Sequence, residues 1–148
     1  MRNRNRIFTT IVVGIASYAL FPNAQAINPP PDGGYPGGNT AEGQASLSTL
    51  TTGLYNTAIG LYSLLSLADG KFNTGVGAGT LLVNTADSNT ATGAGALLSN
   101  TTGFGNTANG TFALFSNTSA QGNTAIGTDA LLFNIGATSI RQSDLARS

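Results

Sequence analysis

The chain contains no cysteine, no histidine and no tryptophan in 148 residues, and only 8% of it is charged. Each absence excludes something. Without cysteine there is no disulfide framework, although small exported domains often depend on one. There is also no thiol nucleophile, no thiolate ligand and no residue to carry a lipid anchor. Without histidine the usual general base and the commonest metal ligand are missing. Serine and threonine abound, but none has a candidate base at a fixed offset. The composition points away from an enzyme, and neither a cofactor nor a metal is expected. Gly75-Val76-Gly77-Ala78-Gly79 resembles a phosphate loop only superficially, since it lacks the required spacing and the Lys.

The first 26 residues read as a signal peptide. Arg2, Arg4 and Arg6 precede an apolar run from Ile7 to Leu20, and Ala24-Gln25-Ala26 supplies a cleavage signal. The apolar run falls well short of the roughly 20 residues that a bilayer span needs. The mature chain is therefore expected to be secreted or cell-surface, with no membrane span. Cleavage removes three of the six Lys and Arg and none of the six Asp and Glu, so the net charge becomes −3. A weakly acidic chain without a basic patch argues against nucleic acid or an anionic membrane as partner. Residues 27–38 then form a Pro- and Gly-rich lead-in.

What the chain does have is a repeat. Asn-Thr-(Ala/Gly)-x-Gly starts at Asn39, Asn56, Asn73, Asn89, Asn106 and Asn123, in steps of 17, 17, 16, 17 and 17 residues. Number each repeat from its Asn as position 1. Position 2 is always Thr, position 5 always Gly, position 8 always small and position 9 always Leu. A unit this short cannot bury its own apolar face and must stack on its neighbours. Residues 39–139 are thus predicted to form an all-β parallel β-solenoid of six 17-residue coils. Low-complexity disorder is the competing reading of this composition, and the Leu that is never lost argues against it.

Each column has a physical meaning. The recurring Gly marks a corner of positive φ or close backbone approach. The recurring Asn tolerates the left-handed region at a turn, and stacked Asn side chains can form amide ladders. Ala or Gly75 at position 3 implies crowding. The deletion behind the 16-residue step falls between Asn84 and Asn89, in a polar turn. Within each coil, two short strands with two turns are expected, the alternative being one strand and a short helical turn at positions 5–12.

The leucines at position 9, Leu47, Leu64, Leu81, Leu97, Leu114 and Leu131, are the predicted coil core. Position 10 reads Ser48, Leu65, Leu82, Leu98, Phe115 and Leu132. Strand residues alternate faces, so Leu65, Leu82, Leu98, Phe115 and Leu132 are predicted to form an outward apolar strip. Such strips mark association surfaces. If the segment is bent or helical, both columns are core instead. Residues 140–148 carry three charges and read as a C-terminal cap or tail.

The Asn-Thr-Ala-Ile-Gly cores at Asn56 and Asn123 resemble the head repeats of trimeric autotransporter adhesins, the YadA-like heads, here in a longer unit. The resemblance spans Asn39 to about Ser139. It implies a left-handed β-roll, a homotrimer and adhesion to a host, matrix or glycan surface. That family's coiled-coil stalk and membrane anchor have no counterpart in this sequence, which puts self-transport and anchored display in doubt. The alternative is a monomer that binds a glycan, matrix or ice-like ligand through its repeated Thr and Asn faces. Six Thr at one phase make that arrangement conceivable.

Overall fold

The three residues after each recurring Asn form a strand. In the structure, a computed structural model that describes residues 35–143, these are β1 (Thr40–Glu42), β2 (Thr57–Ile59), β3 (Thr74–Val76), β4 (Thr90–Thr92), β5 (Thr107–Asn109) and β6 (Thr124–Ile126). A further strand, β7 (Arg141–Ser143), follows the last motif. The predicted signal peptide at 1–26, most of the predicted lead-in and residues 144–148 lie outside the described residues. The seven strands form one parallel sheet in sequence order. Register never slips: Thr40, Thr57, Thr74, Thr90, Thr107 and Thr124 pair in turn, and Arg141 continues the row. The chain is therefore a β-solenoid of about six turns, each rung about 4.8 Å from the next.

Gly at position 5 ends each strand. Its φ lies between 115° at Gly43 and 140° at Gly110. A Cβ at Gly60 would come within 2.6 Å of the Gly77 carbonyl oxygen in the next coil. Both conformation and space therefore demand Gly.

The return path differs from expectation. It contains neither a second strand nor a helical turn, so each coil has one strand only. Positions 5–12 are a chain of tight turns. The position-8 N–H bonds the position-5 carbonyl (Ser63 to Gly60, 3.2 Å), and the position-12 N–H bonds the position-9 carbonyl (Asn100 to Leu97, 3.1 Å). Left-handed φ recurs at position 7, at all six core leucines (49° to 52°), and at the residue before each Asn. None of these columns contains Val, Ile or Thr. Branching at Cβ is what the left-handed region tolerates least. The recurring Asn itself has ordinary φ; the residue before it makes the corner.

The turns are still stitched to both neighbours. Position-7 N–H groups donate back to the preceding coil (Tyr62 to Gln44, 3.0 Å), and position-9 N–H groups donate forward (Leu97 to Ala113, 3.0 Å). The left-handed leucines are compensated by burial. Leu47, Leu64, Leu81, Leu97 and Leu114 lie inside the coils with the position-3 alanines, while Leu131 is half-buried at the end.

The other half of the interior is polar. Asn39, Asn56, Asn73, Asn89, Asn106 and Asn123 are all buried. Asn39 Oδ1 accepts from the Asn56 N–H (2.8 Å) and Nδ2 (3.1 Å), and Asn56 Nδ2 also donates to the Gly70 carbonyl (2.8 Å). The same set recurs at Asn73 and Asn106. At the 16-residue step the Asn84 amide inserts instead, bridging Asn73 Oδ1 and Asn89 Nδ2 at 3.3 Å each. From there a second ladder runs through Asn84, Asn100 and Asn117 at position 12. The earlier coils have Leu50 and Leu67 in that column.

Both ends are closed. Tyr35 exchanges backbone bonds with Asn39 and packs on the core. Gln142 Oε1 accepts the Leu131 N–H (3.2 Å), a bond that the next coil supplies elsewhere. Among the described residues the two buried polar side-chain atoms without a partner, Asn117 Oδ1 and Asn123 Nδ2, fall in the last two coils. There Asn134 turns its amide onto Ala137 (2.9 Å) instead of joining the ladder.

Gly75 is the one Gly at position 3, and its neighbours explain it. A Cβ there would sit 2.6 Å from Ser63 Oγ and 2.9 Å from Thr80 Oγ1. Later coils place Ala at position 8 and keep Ala at position 3. Gly75→Ala should therefore destabilise by about 1–3 kcal/mol from overpacking. Adding Ser63→Ala and Thr80→Ala should recover most of it in urea melts, whereas a simply additive loss would refute this packing.

Candidate interaction surfaces

Three outward columns carry the side chains that could meet a partner. The first is position 10. Leu65, Leu82, Leu98, Phe115 and Leu132 are all half-buried, and Ser48 is exposed. Strand alternation put them opposite position 9. The tight turns remove that alternation, so they lie along the flank of the coil. Position-7 side chains stand beside them, with Tyr62 and Phe112 exposed. The rings of Phe112 and Phe115 meet edge to face, with centroids 5.5 Å apart. A shallow cavity of about 220 Å³ opens there, lined by Phe112, Phe115, Asp129, Leu132 and Phe133. Phe133, 77% exposed, extends it. Asp129 is the one charged residue at positions 5–12 of any coil. Glu42, Asp69, Lys71, Asp87 and Arg141 all belong to strands or closing turns.

The second column is the outer face of the sheet. The alanine between the Thr at position 2 and the residue at position 4 points inward and is buried in β1, β2, β4, β5 and β6. The hydroxyls of Thr40, Thr57, Thr74, Thr90, Thr107 and Thr124 bond no other described residue, unlike those of Thr51, Thr85 and Thr101. The latter reach carbonyls of the next coil at 3.1, 3.0 and 2.9 Å. Position 4 varies freely, from Glu42 to Ile59, Val76, Thr92, Asn109 and Ile126.

The third column, the closing turn, went unnoticed in the sequence because its residues look irregular. Tyr55 and Phe72 stack with centroids 5.4 Å apart and planes 11° apart. They are 60% and 59% exposed. Positive φ at every residue of this column was signalled only by its lack of β-branched residues. Nearby, Asp69 accepts the Thr51 and Thr52 hydroxyls at 2.8 Å each, which hold its carboxyl below the ordinary range, Thr51 first. A lowered folded pKa gives stabilisation that is present above the unfolded carboxylate pKa and is lost as pH falls through the lowered value. Joint replacement of Thr51 and Thr52 by Val should raise the Asp69 pKa toward the ordinary value in a carboxyl-carbon NMR titration. An unmoved titration would contradict the assignment.

Among the described residues no cluster of three or more Asp or Glu is placed to hold a metal, and no helix is long and apolar enough to cross a membrane. No family model, curated protein or solved structure matches this chain.

Proposed function

We propose that this protein is an exported, non-enzymatic surface module of the adhesin-head type. It self-associates through the position-10 flank, as a trimer, and leaves its outer faces for a host, matrix or glycan surface. One observation carries this reading: an in-register apolar column on a side of the solenoid from which charge is all but excluded. Depletion of charge is what marks the centre of an interface. The resemblance of the Asn-Thr-Ala-Ile-Gly cores to adhesin heads supplies the setting.

Area limits the strength of association. Six rungs give a column roughly 29 Å long, and a width of about 10 Å offers well under the ~800 Å² per partner of a standard interface. Tyr62, Phe112 and Phe133 must therefore join the contact, and each protomer of a closed trimer makes two contacts rather than one. Closed association of three copies meets that need better than a single pair.

The Thr column supports a second reading, a monomer that binds a repetitive ligand through its six unbonded hydroxyls. Molar mass separates the two. Sedimentation equilibrium of the exported chain should give a trimer. Leu98→Asp should give folded monomers, whereas Leu97→Asp should unfold the chain by forcing a charge among buried leucines. A monomer at every concentration would rule out the association. Equal unfolding by both changes would place position 10 in the core.

A further inference from the structure

We propose that the open face of Phe72 is the seat for one sugar ring of a neutral, hydroxyl-rich glycan. The inference rests on the adhesive reading, but on a different column from the one used for self-association.

The column of residues preceding each recurring Asn, and Ile140 in the last turn, reads Gly38, Tyr55, Phe72, Ser88, Gly105, Gly122 and Ser139. Every member has left-handed φ, so each presents its side chain from the same kind of corner. Tyr55 leans back over Gly38, where an added Cβ would lie 2.9 Å from its Cδ1. Phe72 stacks on Tyr55 in turn. The next rung supplies only Ser88, which cannot cover a ring. The aromatic column thus stops one member short of a third ring, and the last ring keeps an exposed face. Beyond it the shelf is open: a Cβ on Gly105 would meet nothing within 4 Å, and one on Gly122 would meet only Ser139, at 3.5 Å.

The chemistry around that vacant rung selects the ligand. Asp87 immediately precedes Ser88, and its Oδ1 is fixed by the Lys71 backbone N–H at 2.8 Å. The second carboxylate oxygen is left to accept from a ligand hydroxyl. The Ser88 hydroxyl bonds no other described residue, and Lys71, Asp87, Ser88 and Phe104 are all exposed. A pyranose ring has one apolar C–H face and a rim of hydroxyl donors. The face matches Phe72, and the rim matches the carboxylate and the hydroxyl. An acidic sugar would meet Asp87 and a net negative chain. A phenylalanine side chain from a protein would cover Phe72 but offer Asp87 no donor, and a tyrosine or tryptophan offers a single donor where a pyranose rim offers several.

Titration of the exported chain with cellohexaose, a neutral unbranched probe, tests the seat. Binding should perturb the Phe72 ring resonances, and Phe72→Ala should weaken it about tenfold. Ser88→Phe should cover Phe72 and abolish the perturbation of its ring resonances, without lowering the melting temperature. It completes the aromatic column at a φ of 60°, where Tyr55 and Phe72 already sit at 57°. Failure of the native chain to bind cellohexaose overturns the proposal, as does undiminished binding by both variants. Capture of a tyrosine-rich peptide but not of cellohexaose also overturns it, in favour of a protein partner. A chain that is monomeric yet binds through Phe72 supports the seat while defeating the trimer.

Discussion

A buried side-chain amide must find partners for an oxygen and two N–H groups, and here most of the recurring Asn find them in the neighbouring coils and across their own. The Oδ1 of one Asn takes the backbone N–H of the next, and its Nδ2 holds the carbonyl fourteen residues on. Each bond contributes only about 1 kcal/mol net, but an orphaned buried group costs roughly 1–3 kcal/mol. The ladder is therefore worth more as a constraint than as glue. It requires an Asn at one phase of every coil and so fixes register along the stack. The 16-residue step shows the constraint at work. Where the spacing fails, Asn84 enters the gap and restores the missing bonds. Where the motif ends, Ile140 supplies the N–H that Asn123 needs.

Much of this was legible in the sequence. Six invariant Gly and Leu at one period imply stacked coils, and the Asn column implied an amide ladder. The return path was not legible, for a physical reason. Gly, three or four small or apolar residues and Asn suit a strand and a helical turn about equally. What selects tight turns is left-handed φ at positions 7 and 9, and Leu is an unusual residue for that region. Only the lack of β-branching betrays it. The position-10 residues stay partly outward, but strand alternation is not the reason, since Leu98 does not sit in a strand. Gly75, by contrast, reads clearly once Thr80 is placed against it.

Because register is held from inside, the outer columns are free to differ along the rod. The sheet face sets a uniform row of Thr beside a varied row at position 4, the flank is apolar and nearly uncharged, and the closing turn has two stacked rings followed by an empty shelf. A chain without cysteine or histidine can still carry distinct surfaces, each a column one residue wide and several rungs long. The reading of the protein as an associating, glycan-facing surface module uses two of these columns and leaves the third for a different ligand.

The most direct test of the ladder is exchange of the side-chain amide protons themselves. The Nδ2 protons of Asn56, Asn73 and Asn106 should exchange with solvent as slowly as the strand N–H groups, only through global unfolding. The amide of Asn109, exposed on the sheet face, should exchange freely. If the three buried amides exchange as fast as that one, the ladder does not hold the coils in register.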